Sequence, residues 1–240
     1  MPRTSRDAGV LHFLHIGKTG GTAVKYALAG HDRALNFRIE LHAHKVRLRD
    51  IPAGDSVVFF VRDPITKFVS AFYSRQRRGR PRHNAPWRPV EAEAFARFST
   101  PRQLANGLSS SSEEERHAAI HAMKNIGHVR DSYWDWFVDK AYFQSRMDDV
   151  YFIGFQETLT TDFELLKQKL GLPELIRLPE DDVNAHRSPA GLDTYLGEVA
   201  EANLRDWYAR DYTFIALCRQ LASSINGVPQ LRVAEAEAGS

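Results

Sequence analysis

The strongest constraint on the fold is an apolar segment that runs into a glycine-rich turn and then into a helical pattern. Residues Val10 to Ile16 are predicted to form a buried strand, and Gly17 to Gly21 the turn that ends it. From Thr22 to Leu28 the apolar residues recur at helical spacing. A strand, a turn and a helix in this order are typical of the units that build a parallel sheet.

A second strand and helix repeat this arrangement. Ser56 to Val61 is continuously apolar, which favours a strand buried on both faces. Asp63 and Pro64 suit the N-cap and first position of a helix, which we expect to start there. Its buried face is predicted from helical spacing, and Lys67 and Ser70 lie off that stripe.

The remaining segments complete a predicted α/β fold. Weaker or later strands are expected at Phe37 to Leu41 and Val150 to Gly154, and helices at Asp162 to Leu170 and within Leu192 to Leu221. Broken helical patterns from Val90 to about His121 indicate a helical insertion. We therefore predict one domain over residues 1–240, with a P-loop-like, mostly parallel sheet flanked by helices and a flexible tail at 230–240.

Composition excludes several classes of protein. The 240 residues carry 32 basic and 30 acidic side chains, a formal charge of +2, which excludes a histone-like or strongly acidic chain. Cys218 is the single cysteine, so the chain forms no internal disulfide and no cysteine-based zinc site. Its apolar runs are too short to span a bilayer, so we expect a cytoplasmic protein without a membrane span.

The glycine turn has the composition of a phosphate-binding loop. Backbone N–H groups at the start of a helix attract anions, and a lysine and two threonines add a charge and hydroxyl donors. The candidate cofactor-binding residues are Gly17, Lys18, Thr19, Gly20, Gly21 and Thr22. An ordinary tight turn would also use glycines. A Walker A motif fits poorly, because His12 stands where its first glycine is required.

The loop resembles the 5′-phosphosulfate motif of sulfotransferases that use 3′-phosphoadenosine 5′-phosphosulfate (PAPS). His15-Ile16-Gly17-Lys18-Thr19-Gly20-Gly21-Thr22 is similar to the H-I-P-K-T-G-G-T of the carbohydrate sulfotransferases. Gly17 replaces the usual proline, which loosens the turn and aims Lys18 less firmly. The resemblance implies sulfuryl transfer from PAPS to an acceptor hydroxyl, leaving adenosine 3′,5′-bisphosphate, with no metal required.

A second segment resembles the 3′-phosphate motif of the same family. Arg62 ends an apolar strand, and Ser70 follows eight residues later on the polar side of the next helix. The guanidinium can bind a phosphate through two hydrogen bonds, and the hydroxyl can add a third. A weaker likeness to a later strand and helix begins at Val150. Arg62 alone would also be explained by a helix cap with a surface ion pair.

Two histidines between these motifs are candidates for acid–base chemistry. If the chain is still extended at His42 and His44, their imidazoles share a face. The pair resembles the H-x-H of heparan sulfate 2-O-sulfotransferases, which implies that His44 is the base and that His42 helps to place the acceptor. A structural role, or half of a metal site, are the alternatives. Glu40 and Glu157 are the fallback bases, and no metal ligand set is predicted.

The acceptor side is less well defined by sequence. Five arginines between Arg75 and Arg82 could attract an anionic acceptor such as a glycan bearing uronic acid, or form a solvated loop. We expect a hydroxyl-bearing acceptor and no nucleic-acid partner. Two rival functions remain open, an ATP-dependent P-loop kinase and an arginine-rich module that binds polyanions or nucleic acid.

Overall fold

The computed structural model describes residues 9–35, 37–181, 189 and 191–227. The tail predicted at 230–240 lies outside these residues. Within them, no helix is long and apolar enough to cross a membrane.

A five-stranded sheet forms the centre of the fold. Its strands are β1 (Gly9–Leu14), β2 (Arg33–Ala34), β3 (Phe37–Leu41), β4 (Ser56–Val61) and β5 (Val150–Phe155). They lie in the order β2, β3, β1, β4, β5. All neighbouring pairs are parallel except β2 with β3. This confirms the predicted α/β class and mostly parallel sheet, although β1 ends at Leu14, two residues earlier than predicted.

The described residues form ten α-helices, which cover the sheet or lie beside it. They are α1 (Gly21–Leu28), α2 (Pro64–Gln76), α3 (Pro89–Arg97), α4 (Pro101–Gly107), α5 (Glu113–Asn125), α6 (Trp134–Phe137), α7 (Lys140–Ser145), α8 (Leu159–Leu170), α9 (Glu198–Trp207) and α10 (Ala209–Ile225). Short 3-10 turns occur at 48–50, 147–149 and 156–158. The helical insertion is thus formed by α3, α4 and α5, and the C-terminal helical region is two helices.

The two faces of the sheet are buried by different helices. Leu14 and Phe59 point to one face and pack in a cluster with side chains of α6 and α10, such as Phe214. Phe13 and Phe60 point to the other face and pack with α1 and α8. The continuous apolar pattern of β4 is explained by this arrangement, because successive residues of a strand face opposite sides and both sides are covered.

Helix α2 begins as predicted but is more buried than predicted. The Asp63 carboxylate accepts a hydrogen bond of 2.9 Å from the Thr66 N–H and caps the helix. Lys67, expected on the polar side, is only 3 % exposed because Tyr133 and the segment at Asp131 cover that side. Its ammonium donates to the Asp131 carbonyl at 2.6 Å, and burial lowers its pKa. Helix α2 is therefore buried on both faces, although its second face carries polar residues.

Candidate functional site

A cleft of about 1720 Å³ opens at the carboxyl ends of the four parallel strands. His15 follows β1, His44 follows β3, Arg62 follows β4 and Gln156 follows β5, and all four line the cleft. In parallel sheets the carboxyl ends of the strands are the usual place for a ligand. The predicted residues that line it are Lys18, Gly20, Gly21, Thr22, His44, Arg62 and Ser70. Gly17, Thr19 and His42 do not.

The glycine loop has the geometry of an anion-binding turn. Lys18 and Gly20 both have left-handed backbones, with φ of 68° and 83°. Alternation of such conformations points successive N–H groups into one concavity. Helix α1 follows directly, with no side chain capping its N-terminus and no acidic residue in its first turn. The positive end of the helix therefore remains available to an anion in the cleft.

Thr19 supports the loop from inside rather than facing the cleft. Its side chain is buried, and its hydroxyl donates a hydrogen bond of 3.1 Å to the Ile16 carbonyl. The hydroxyl expected to contact phosphate is thus used to close the turn. Of the two threonines, only Thr22 lines the cleft.

Lys18 lies among other cations. Burial, Arg77 and Arg62 together lower the pKa of its ammonium to about 7. The Nη1 of Arg77 is buried and has no hydrogen-bond partner among the described residues. Clustered cations and an unpaired buried donor are costly unless an anion neutralises them. This corner of the cleft has the charge pattern of a phosphate or sulfate site.

The backbone of Arg62 is held by Tyr133, a buried tyrosine that follows the insertion in sequence. The Tyr133 hydroxyl accepts a hydrogen bond from the Arg62 N–H at 2.9 Å and donates one to the Arg62 carbonyl at 2.6 Å. The guanidinium donates to the Thr66 hydroxyl at 3.0 Å and contacts the Lys18 carbonyl at 3.4 Å. Ser70 lies on the next turn of α2 and also lines the cleft. Both members of the predicted 3′-phosphate pair therefore face the same space.

His44 lies in the same cleft with a defined tautomer. Its Nδ1 is 3.1 Å from the His15 carbonyl oxygen. A carbonyl only accepts, so Nδ1 carries the hydrogen and Nε2 is the basic nitrogen. Loss of water around the ring, and the neighbouring His128, lower the pKa of His44 to about 4. His44 is therefore neutral at pH 7 and able to accept a proton.

Two further imidazoles accompany His44. The rings of His15 and His44 have centroids 3.8 Å apart, and those of His44 and His128 are 5.7 Å apart. Burial and the neighbouring imidazoles lower the pKa of His15 to about 2, so it stays neutral. The Nδ1 of His128 lies 3.3 Å from an Asp131 carboxylate oxygen. The row of imidazoles thus ends at a carboxylate.

A buried ion pair holds the segment before His128. The carboxylate of Glu91 accepts hydrogen bonds from Arg75 at 2.9 and 2.7 Å and from the Gly127 N–H at 3.0 Å. These contacts lower the pKa of Glu91 to about 2. Arg75 is therefore engaged in holding helix α3 and the His128 segment to α2.

The other arginines of that run have different environments. Arg78 lies over the Trp87 ring, 4.5 Å from its centroid, and does not line the cleft. Arg82 lines the cleft, as does Lys25 of α1. The run is therefore not one solvated basic strip. Arg82 at the end of the run and Lys25 of α1 supply positive charge to the part of the cleft near His15 and His44.

His42 departs from its predicted position. The strand ends at Leu41, so the extended chain on which the prediction of a shared face depended does not continue to His44. The Nε2 of His42 is instead 2.8 Å from the Nδ1 of His12. The acceptor-placing role expected of His42 therefore has no support from its position. Glu40 also lies outside the cleft, and the Glu157 carboxylate accepts from the Asp63 N–H at 2.7 Å.

Four residues of the site were missed by sequence reasoning. Tyr133 and His128 come from the insertion region, where no motif was recognised, and they meet the site only through tertiary contacts. His15 is part of the glycine motif, but nothing in the motif indicates that its ring packs on His44. Lys25 could have been found, since it lies one turn of helix after Thr22 in the predicted helix.

A family model matches this arrangement over most of the chain. The model described as the sulfotransferase family covers residues 4–214. The chain therefore belongs to the sulfotransferase family and is a transferase of sulfuryl groups. The predicted sulfotransferase class is confirmed, and the narrower likeness to heparan sulfate 2-O-sulfotransferases stays a prediction. No curated protein and no solved structure was found to match.

Gly17 is explained by its contact with His128. A Cβ at position 17 would lie 2.8 Å from the His128 Nδ1, so the ring occupies space that a side chain would need. We expect Gly17→Ala to lower the free energy of unfolding by about 1–3 kcal/mol, the usual cost of overpacking. In a His128→Ala background the same change should cost less than half as much. Urea denaturation of the four proteins measures the difference. An equal cost in both backgrounds would contradict the contact.

Proposed function

We propose that this sulfotransferase transfers the sulfuryl group of PAPS to an acceptor hydroxyl, with His44 as the base. The observation that carries the proposal is the meeting of Lys18, Arg62 and His44 at one sheet edge. Each comes after a different strand, and each supplies a separate requirement of the reaction. These requirements are an anion site at the leaving group, a second phosphate site, and a neutral base.

The glycine loop suits the 5′-phosphosulfate. The start of α1 and the left-handed loop direct backbone donors at an anion, and Lys18 adds a positive charge beside them. When the bond between sulfur and the bridging oxygen breaks, negative charge grows on the 5′-phosphate. Lys18 is placed to neutralise that charge, which stabilises the transition state more than the ground state.

Arg62 and Ser70 suit the 3′-phosphate. The clamp by Tyr133 fixes the backbone from which the Arg62 side chain extends, and Ser70 adds a hydroxyl on the same side of the cleft. In a P-loop kinase a carboxylate at the end of a strand normally helps to hold Mg²⁺. Here β4 is followed by an arginine, which favours a second phosphate over a metal and PAPS over ATP.

His44 completes the reaction. Its Nε2 takes the proton of the acceptor hydroxyl as the acceptor oxygen forms its bond to sulfur. The Nδ1–H of the same ring is held by the His15 carbonyl, which keeps this tautomer in place. The Asp131 carboxylate favours the imidazolium that forms, whereas the neighbouring His128 opposes it.

The acceptor is proposed to carry a negative charge. Lys25 and Arg82 lie close enough to His15 to lower the pKa of its imidazole. A carboxylate or sulfate next to the reacting hydroxyl, as on a uronic-acid glycan, would be matched by these cations. Both line the cleft on the side where His44 lies, which supports an anionic glycan as the acceptor.

Cofactor choice is tested by comparing nucleotides. We expect adenosine 3′,5′-bisphosphate to bind without metal and at least 10-fold more tightly than AMP, which lacks the 3′-phosphate. Arg62→Ala should weaken the bisphosphate about 10- to 100-fold and leave AMP almost unchanged, since a charge-assisted hydrogen bond is worth about 1.5–3 kcal/mol. Isothermal titration calorimetry measures both affinities. Arg78→Ala, outside the cleft, is the control. Preferential binding of ATP with Mg²⁺ would instead support a kinase.

The pKa of Lys18 predicts proton uptake on binding. With a pKa of about 7 in the free protein, Lys18 is mostly uncharged at pH 8. A bound phosphate raises that pKa, so binding adenosine 3′,5′-bisphosphate at pH 8 should take up close to one proton, and less at pH 6. Calorimetry in buffers of different ionisation enthalpy measures the uptake. Lys18→Met should abolish it and Lys124→Met should not. Uptake that persists without Lys18 would refute its position beside the phosphate.

The base is tested by turnover. His44→Ala should lower kcat by about 10²- to 10⁴-fold, the usual contribution of a general base, and leave bisphosphate affinity within about 3-fold. The control is His117→Ala, an exposed histidine of α5. Glycans bearing uronic acid are assayed first, then neutral sugars and phenols. Wild-type turnover of His44→Ala on any good acceptor would exclude His44 as the base and leave His128 as the next candidate.

A further inference from the structure

A second group of titratable side chains lies where β1 pairs with β3. His12 of β1 is paired in register with Glu40 of β3, and His42 follows the end of β3. His12 lies two residues before Leu14 and so shares the face of the sheet covered by α6 and α10. None of the three lines the cleft. The proposed transfer reaction uses none of them.

The three side chains present ligand atoms at the spacing of a metal site. The His12 Nδ1 lies 2.8 Å from the His42 Nε2 and 3.6 Å from a Glu40 carboxylate oxygen. The same oxygen lies 3.9 Å from the His42 Nε2. Bonds of about 2.0–2.2 Å to zinc place tetrahedral ligand atoms about 3.3 Å apart. The three observed distances lie on either side of that value.

A fourth residue fixes the tautomer that metal binding needs. The Nε2 of His12 lies 3.2 Å from a carboxylate oxygen of Asp55. A carboxylate accepts, so Nε2 carries the hydrogen and the lone pair is on Nδ1, which faces Glu40 and His42. Metal-bound histidines usually donate their other N–H to a carboxylate in this way. His12 is also buried, so its ring is held in this orientation.

Two positively charged side chains lie beside the three candidate ligands. The second oxygen of Glu40 forms an ion pair with Arg38 at 2.6 Å, and the Lys25 ammonium donates to the His42 carbonyl at 2.8 Å. Two neutral imidazoles and one carboxylate form a common zinc ligand set, with the fourth position left to water.

We propose that His12, Glu40 and His42 bind one Zn²⁺, with Asp55 orienting His12. Without metal the His42 Nε2–H donates to the His12 Nδ1. Binding of Zn²⁺ takes the other neutral tautomer of His42, in which the proton has moved through solvent from Nε2 to Nδ1, so the His12 Nδ1 and the His42 Nε2 can both donate lone pairs to the metal with no net loss of a proton. The ion joins β1 to the segment after β3 and holds the chain two residues before His44. Its role is structural, because the site is outside the cleft, so sulfuryl transfer itself needs no metal.

Zinc binding is tested on the full chain after treatment with EDTA and removal of the chelator. We expect one Zn²⁺ per chain by competition with a colorimetric chelator, and a rise in Tm with added Zn²⁺. Co²⁺ in place of Zn²⁺ should give the visible absorption of a tetrahedral site. Failure of the wild-type chain to bind one Zn²⁺, or cobalt spectra of an octahedral ion, would overturn the proposal.

Substitutions test which side chains bind the zinc. Glu40→Gln and His42→Gln, at partly exposed side chains, should each weaken zinc at least 10-fold. Asp55→Asn should weaken it about 10- to 100-fold, as outer partners of a metal ligand do. His117→Ala, beside Glu113 on the surface of α5, is the matched control and should bind as the wild type does. Equal affinity in Glu40→Gln, His42→Gln and the wild type would overturn the assignment, whereas loss of zinc with bisphosphate binding intact would support a site separate from the cleft.

Discussion

Parallel pairing of the central strands is the constraint on which the site depends. Because β1 pairs in parallel with both β3 and β4, the chain leaves all three strands at the same edge. The glycine loop, His44 and Arg62 are far apart in sequence, yet each lies within three residues of the end of its strand. An antiparallel arrangement would have sent His44 or Arg62 to the opposite end of the sheet. The cleft is thus a direct consequence of strand direction.

Strand direction brings Arg62 and His44 to the same end of the sheet. Buried contacts then fix their orientation. The Tyr133 hydroxyl satisfies both backbone groups of Arg62 at the point where β4 ends and its ladder stops. The His15 carbonyl likewise orients the His44 ring by accepting a hydrogen bond from its Nδ1–H. In both cases a group with no reactive role of its own determines the orientation of one that has. Such contacts are typical of sites whose geometry is set before the ligand arrives.

The parts that were predictable from sequence are those encoded by contiguous residues. A strand, its turn and the next helix lie within about 20 residues, so both phosphate motifs and the capping of α2 by Asp63 could be recognised directly. His42 was misplaced because the prediction depended on a strand continuing past Leu41, and strand ends are poorly determined by local pattern. Tyr133 and His128 could not be placed, since their partners are more than 70 residues away. Lys67 was misjudged because nothing local shows that Asp131 and Tyr133 cover the polar side of α2.

The carboxylate of Glu91 has a consequence for how the fold can be rearranged. It joins Arg75 of α2, the start of α3 and the backbone next to His128. The insertion is therefore not an interchangeable module, although it lies outside the sheet and its sequence shows no motif. A chimera that received a foreign insertion without an equivalent acid would leave a guanidinium unpaired beneath the cleft and release the His128 loop. Changes to the insertion in this scaffold therefore have to keep the Glu91 contacts and vary its exposed faces.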